Sequence, residues 1–203
     1  MSKRVQFWFE FASTYSYLSV MRLDEIAARR NVDVTWKPFL LGPIFKKNGW
    51  NTSPFGIYKA KGENMWRDME RRSAKYGLEF NVPDHGESGS FPRNSVNATR
   101  IAMLGLSEGW GKAFCRGVYV AEFVRGEDIG ELGRLEAIAM TCGAPENIIE
   151  RSRSDANKAA LWARGEEAEA LGLYGAPSFI VGDELFWGDD RLEDALEWAS
   201  KTV

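Results

Sequence analysis

Thiol and imidazole groups are scarce in this 203-residue chain: it has two cysteines, Cys115 and Cys142, and one histidine, His85. A Cys/His zinc site is excluded for want of ligands, and so is a disulfide scaffold. Any histidine-activated nucleophile would have to rest on His85 alone. Charge of one sign is also missing. Lys and Arg number 26 against 29 Asp and Glu, a net charge of −3, which removes the electrostatic argument for a nucleic-acid partner. No apolar run approaches the roughly 18 residues of a membrane span. The opening Met-Ser-Lys-Arg runs straight into a strand-like segment without a signal-peptide pattern, so a reducing, cytoplasmic setting is expected. The length fits one domain, or one domain with a large insertion. At this size roughly 70% of the unfolded surface can be buried. What is abundant is tryptophan, eight residues within 13% aromatics. That is more than a core of this size needs and points to an aromatic-lined pocket.

Val5, Phe7, Phe9 and Phe11 recur at period two with Trp8 on the other face, which predicts a largely buried strand. Ala12-Ser13-Thr14 then offers hydroxyl caps, and Val20, Leu23, Ile26 and Ala27 form a helical stripe. Val32, Val34 and Trp36 alternate with polar residues up to Pro38, giving a second strand and a βαβ unit. From about residue 42 the pattern changes. Gly42-Pro43, Asn48-Gly49 and Asn51-Thr52-Ser53-Pro54 read as turns. A helix follows with Met65, Trp66, Met69, Ser73 and Tyr76 on one face, and with Glu63–Arg67 and Asp68–Arg72 as i,i+4 pairs. A polar loop is expected over about Pro83 to Ser90, then helices near 94–108, 111–124, 130–141 and 146–171. Ser178 to Val181, Gly182-Asp183 and Glu184 to Trp187 read as a hairpin with a type II′ turn. Asp189 or Asp190 can cap a last helix, in which Leu192, Ala195, Leu196 and Ala199 make the apolar stripe. The order βαβ, helices, ββα is that of a thioredoxin-like α/β domain (1–41 and 172–203) carrying a large all-helical insertion (42–171).

The junction of the first strand and helix reads Ser13-Thr14-Tyr15-Ser16. In thioredoxin-like redox proteins this point holds Cys-x-x-Cys, because the helix N-terminus stabilises a thiolate. With serine at both positions, thiol-disulfide exchange within the site is impossible. Ser13 therefore has two readings, an N-cap worth about 1 kcal/mol or a hydrogen-bond donor to a thiolate brought by another molecule. Gly175-Ala176-Pro177-Ser178 opens a strand with a proline, cis or trans. A cis bond would expose the Ala176 backbone to an extended peptide ligand. His85 is read as a solvated loop residue, and Cys115 and Cys142 as small core residues. Arg93 and Asn94 are substrate contacts or helix caps. Trp8, Trp36 and Trp187 fall on strands and are taken as packing, leaving Trp50, Trp66 and Trp110 as pocket candidates.

Five segments, 9–18 (Phe-Glu-Phe-Ala-Ser-Thr-Tyr-Ser-Tyr-Leu), 37–42, 91–95, 175–179 and 186–191 (Phe-Trp-Gly-Asp-Asp-Arg), occur in the order of a known family. The chain resembles, nearly end to end, the 2-hydroxychromene-2-carboxylate isomerases, relatives of the kappa-class glutathione transferases and of the DsbA-like thioredoxin branch. It departs from the family's usual Ser-Pro by having Thr14 after Ser13. The resemblance implies glutathione as cofactor, with Ser13 as the catalytic serine holding its sulfur. It implies further glutathione contacts from Asn51, Lys61, Ala176, Pro177, Asp189 and Asp190, and substrate contacts from Tyr15 and Asn94. Outside the resemblance, Asn51 is equally a turn residue, Lys61 a solvated lysine, and the aspartates helix caps. The implied reaction is glutathione-dependent conversion of 2-hydroxychromene-2-carboxylate to trans-o-hydroxybenzylidenepyruvate by reversible thiolate addition, in aromatic catabolism. The alternatives are a kappa-like transferase or peroxidase, and a non-catalytic DsbA-like binding module. No metal is implied, and a homodimer is expected.

Overall fold

The alternation of the first segment becomes β1 (Arg4–Phe9) in a computed structural model that describes residues 4–82 and 91–201. Val5, Phe7 and Phe9 are fully buried on one face of this strand and Trp8 on the other. The helix α1 (Thr14–Arg30) follows, ending where Asn31 takes the left-handed conformation at φ 53° and its N–H meets the Ala27 and Ala28 carbonyls. Arg29 and Arg30 in the last turn complement the helix dipole. β2 (Asp33–Pro38) pairs parallel to β1, with Phe7 beside Trp36. At the far end of the chain β3 (Ser178–Val181) pairs antiparallel to β1, and β4 (Glu184–Trp187) returns alongside β3. The sheet order is β2-β1-β3-β4. Gly182 has φ +60° and Asp183 does not share the positive sign, as a type II′ turn requires.

Between β2 and β3 run α2 (Leu41–Lys47), α3 (Pro54–Ile57), α4 (Lys59–Tyr76), α5 (Val96–Glu108), α6 (Gly111–Phe123), α7 (Leu132–Thr141), α8 (Ile148–Ser152) and α9 (Asp155–Ala170). A 3₁₀ turn, Asp189–Arg191, leads into α10 (Leu192–Lys201), whose Leu192, Ala195, Leu196 and Ala199 are buried as the stripe requires. The face of the sheet carrying Phe7 and Phe9 joins α1, α5, α6 and α10 in the larger apolar cluster. The face carrying Trp8 is covered by Leu41 and Ile44 of α2 and by Ala168 of α9. Phe7 stacks on Phe179 at 5.3 Å and meets Trp36 edge-on at 5.4 Å, contacts that add about 0.5–1.5 kcal/mol each beyond their burial. The fold is the α/β thioredoxin-like arrangement with inserted helices. Among the described residues no helix is long and apolar enough to cross a membrane.

Four expectations need correction. Gly42-Pro43 lies in the first turn of α2 rather than in a turn between elements, a position where a proline's missing N–H has no intrahelical partner to lose. The helix expected over 146–171 is two helices, because the Ser154 hydroxyl accepts the Asn157 N–H and starts α9 afresh. Arg67 pairs with Glu70 rather than Glu63. Arg72 leaves Asp68 to Arg71 and turns to Asp189. The loop expected over 83–90, with His85, lies outside the described residues.

The α5–α6 connection sets a steep packing constraint. A Cβ at Gly111 would fall 2.1 Å from the Leu106 backbone nitrogen, whereas one at Gly133 in α7 would meet nothing within 4 Å. Gly111→Ala should therefore lower stability by about 2–3 kcal/mol, while Gly133→Ala should raise it by about 0.5–1 kcal/mol. Urea unfolding of the two variants measures both, and equal midpoints would refute the contrast.

Candidate functional site

The chain leaves β1 through Glu10 and turns at once into α1. The Ser13 N–H donates to the Glu10 carbonyl at 3.0 Å, closing a tight turn. Ser13 is the N-cap, with extended φ −90° and ψ 115°. Its hydroxyl accepts the Ser16 N–H at 3.3 Å and donates to the Ala176 carbonyl at 2.9 Å. Ala176-Pro177 is a cis peptide, and the Pro177 carbonyl accepts the Gly188 N–H at 2.9 Å. So the first helix, the start of β3 and the turn after β4 meet at one point. Ser16, at the second sulfur position, is fully buried in α1.

Around this point lies a cleft of about 1130 Å³. Its walls are the α1 N-terminus, the α2–α3 segment, α4, residues 91–96 entering α5, and the two segments 174–176 and 187–191. Every residue of the expected site lies on this wall except Pro177, which is buried behind it. Asn51 and Lys61 are exposed on the α2–α4 side, and the Lys61 ammonium is 5.8 Å from the Phe55 ring. The Tyr15 hydroxyl donates to Asp68 at 3.1 Å, with its ring 6.3 Å from Phe55. Asn94 uses its side-chain oxygen to accept the Val96 N–H at 3.0 Å. Arg93 is turned to the Gly126 and Glu127 carbonyls.

Asp189 does not cap α10. Its carboxylate is completely buried and accepts from Ser19 and Arg22, each at 2.9 Å, and from Arg72 at 2.6 Å. Asp190 is the exposed member of the pair. The tryptophan assignment also changes. Trp66 packs on Phe91 and Phe80, and Trp110 on Phe114, so neither borders the cleft. Trp50 does border it, and so does Trp187, which had been taken as packing. The reason is that β4 is an edge strand and Gly175 leaves room. A Cβ there would sit 2.2 Å from the Trp187 indole nitrogen. Tyr174 meets the same indole edge-on at 5.0 Å.

Two further residues had no role in the sequence reading. Glu10 lines the cleft at 6% exposure and accepts a hydrogen bond from the Ser95 hydroxyl. Burial, opposed by hydrogen bonds from Ser95 and Ala12, pushes its carboxyl up to about 7. Glu122 of α6 is fully buried, and among the described residues neither of its oxygens has a hydrogen-bond partner. Burial first, and then the charge of Glu10, raise it well above the carboxylate range. The available signal was a single acid among aromatics, Phe9-Glu10-Phe11 at a strand exit. Burial likewise drives the Tyr15 hydroxyl and the Cys115 thiol upward. Neither cysteine lines the cleft, and among the described residues no cluster of His, Cys, Asp or Glu could hold a metal ion.

Fold and site together define a thioredoxin-like protein whose helix-terminal site has hydroxyls where redox relatives carry sulfur. The DSBA-like thioredoxin domain model matches residues 4–197, and the chain belongs to that family. It is 28% identical over 195 residues to a 2-hydroxychromene-2-carboxylate isomerase from Sphingobium xenophagum, covering 95% of this chain and 96% of that one. It is 24% identical over 199 residues to glutathione S-transferase kappa 1 from Caenorhabditis elegans, covering 93% and 87%. A solved structure of a 2-hydroxychromene-2-carboxylate isomerase superposes with TM-score 0.81 at 25% identity, covering 97% of this chain and 93% of that one.

Two predictions follow from the charges. Asp189→Ala removes the carboxylate shared by Arg22 and Arg72, of which Arg22 keeps Glu193, and should cost about 3 kcal/mol, read by denaturant unfolding; a loss below about 1 kcal/mol, as for surface pairs, would refute the anchoring role. Glu10 holds a proton in the folded state between about pH 4.5 and 7 that the unfolded chain releases. Its contribution is complete at acid pH and is lost as pH rises through 7, by about 3 kcal/mol. Unfolding free energies measured across that range should fall with pH, and less steeply in Glu10→Gln.

Proposed function

We propose that this protein is a glutathione-dependent cis-trans isomerase that converts 2-hydroxychromene-2-carboxylate to trans-o-hydroxybenzylidenepyruvate. The observation that carries the proposal is the Ser13 hydroxyl at the N-terminus of α1, in an aromatic-walled cleft lined by no protein thiol. Bound glutathione supplies the thiolate that adds reversibly to a conjugated carbon, so the protein needs no nucleophile of its own. Ser13 turns its hydroxyl from Ala176 to the sulfur, and the first N–H groups of α1 favour the negative charge. The backbone of Ala176, set by Pro177, pairs with the extended tripeptide. Asn51 and Lys61 reach it from the opposite wall. Asp190 takes the ammonium end, since the Asp189 carboxylate is held by its two arginines. The flat aromatic acid lies against Tyr15 and Phe55, with the amide nitrogen of Asn94 free to donate to it.

The names of the Sphingobium xenophagum relative and of the superposed structure support this reading. The nematode relative favours a second one, a kappa-like transferase using the same thiolate on another electrophile. A cytoplasmic homodimer belongs to the proposal on the family resemblance. In the assay the chromene absorbance should change with no loss of free thiol. Thiol consumed stoichiometrically with an aryl halide, and no isomerisation, would favour the transferase. Ser13→Ala should lower kcat/KM about 10²-fold, as for loss of one donor to a developing charge. A variant as active as the wild type would remove Ser13 from the mechanism.

A further inference from the structure

The cleft holds a second chemical group, beside Ser13, that neither thiolate binding nor the fold requires. Glu10 follows β1 between the buried Phe9 and Phe11, and a carboxyl at 6% exposure there is costly unless neutral or paired. Among the described residues no cation pairs with it. The Ser95 hydroxyl donates to its side chain, and Ser13 and Tyr119 donate to its carbonyl, at 3.0 and 2.7 Å. These contacts hold it between the N-termini of α1 and α5, and Glu10, Ser13 and Ser95 share the cleft wall. The charged and titratable groups facing it are Tyr119 and Glu122 of α6, with Arg93 and Asp128 acting on Glu122. Glu122, buried and without a hydrogen-bond partner among the described residues, is pushed further up by the charge of Glu10, so at neutrality the two carboxyls keep a proton between them.

We propose that Glu10 is the general acid and base of this cleft, giving its proton to the ketone oxygen of the substrate and taking it back. The inference rests on the isomerase reading. The cyclic hemiketal first opens, its ring C–O bond breaking as the hydroxyl proton passes to the phenol oxygen, to give the cis ketone. When a nucleophile then adds to the double bond conjugated with that ketone, the π electrons move to the ketone oxygen. The Glu10 carboxylic acid protonates that oxygen and becomes a carboxylate, and the former double bond is free to rotate. The carboxylate then recovers the proton, the electrons rebuild the double bond and the nucleophile leaves. No proton or electron is consumed. Protonation on oxygen rather than carbon keeps the addition reversible, as an isomerase needs and a transferase does not.

The test uses wild type, Glu10→Gln and Glu10→Asp, each with glutathione affinity measured by calorimetry. Glu10→Gln should bind glutathione as the wild type does and lose at least about 10²-fold in kcat/KM. It should also lose the limb along which the wild-type rate falls above neutral pH. Glu10→Asp should keep that limb and part of the rate. Independently of turnover, the infrared carboxylic-acid band of the glutathione complex should titrate near neutrality in the wild type and be missing from Glu10→Gln. Wild-type rate and limb in Glu10→Gln, or a loss explained wholly by weaker glutathione binding, would overturn this role alone. Absence of isomerisation by the wild type would overturn the proposed function and this step with it.

Discussion

The antiparallel pairing of β1 with β3 brings Phe7 opposite Phe179 and Trp8 opposite Ser178, and the site depends on it. Ser13 follows β1 and Ala176 precedes β3, so the pairing lets residues 163 positions apart share a hydrogen bond. Closing so long a loop is thermodynamically mild, since each doubling of length adds only about 0.6 kcal/mol. The stacked and edge-on rings around Phe7 fasten the pairing on the face opposite Trp8. The inserted helices are thereby free to build the other walls of the cleft without disturbing its floor.

Buried charge is handled in two different ways around that floor. The Asp189 carboxylate is fully enclosed yet accepts from Ser19, Arg22 and Arg72, tying α1, α4 and the turn before α10 together. That is a satisfied site, and its removal takes from Arg22 and Arg72 the partner they share. Among the described residues neither Glu10, which accepts from the Ser95 hydroxyl, nor Glu122 has a cationic partner, and burial holds both toward the neutral form. One arrangement fixes geometry and the other stores a proton.

A redox thioredoxin-like site works by placing a thiolate at a helix N-terminus. Here the same electrostatic position is kept while both sulfurs are replaced, and Cys115 is sealed in the core with its ionisation suppressed by burial. The position thus remains suited to negative charge but has none of its own. The half-exposed Trp187 and Tyr174, with Trp50, add aromatic surface to the cleft wall.

Period-two alternation in 5–9, the two β-prone runs either side of Gly182-Asp183, and the 0, 3, 4, 7 stripe in 192–199 were sufficient to define those strands and the last helix. Local sterics and one-sided burial act within a few residues, so the sequence by itself determined those elements, the βαβ and ββα order, and the Ser13 to Ser16 replacement. Cap chemistry was only partly legible: Ser13 was recognisable, whereas Ser154 was hidden in a continuous helical period. Long-range choices were not legible at all. Whether Arg72 pairs with Asp68 or Asp189, whether Trp187 packs or lines a cleft, and whether Glu10 meets water or the Ser95 hydroxyl each depend on which distant segments arrive beside them. The energies that decide these choices, desolvation and charge pairing in a dry interior, exist only once the chain has closed around them.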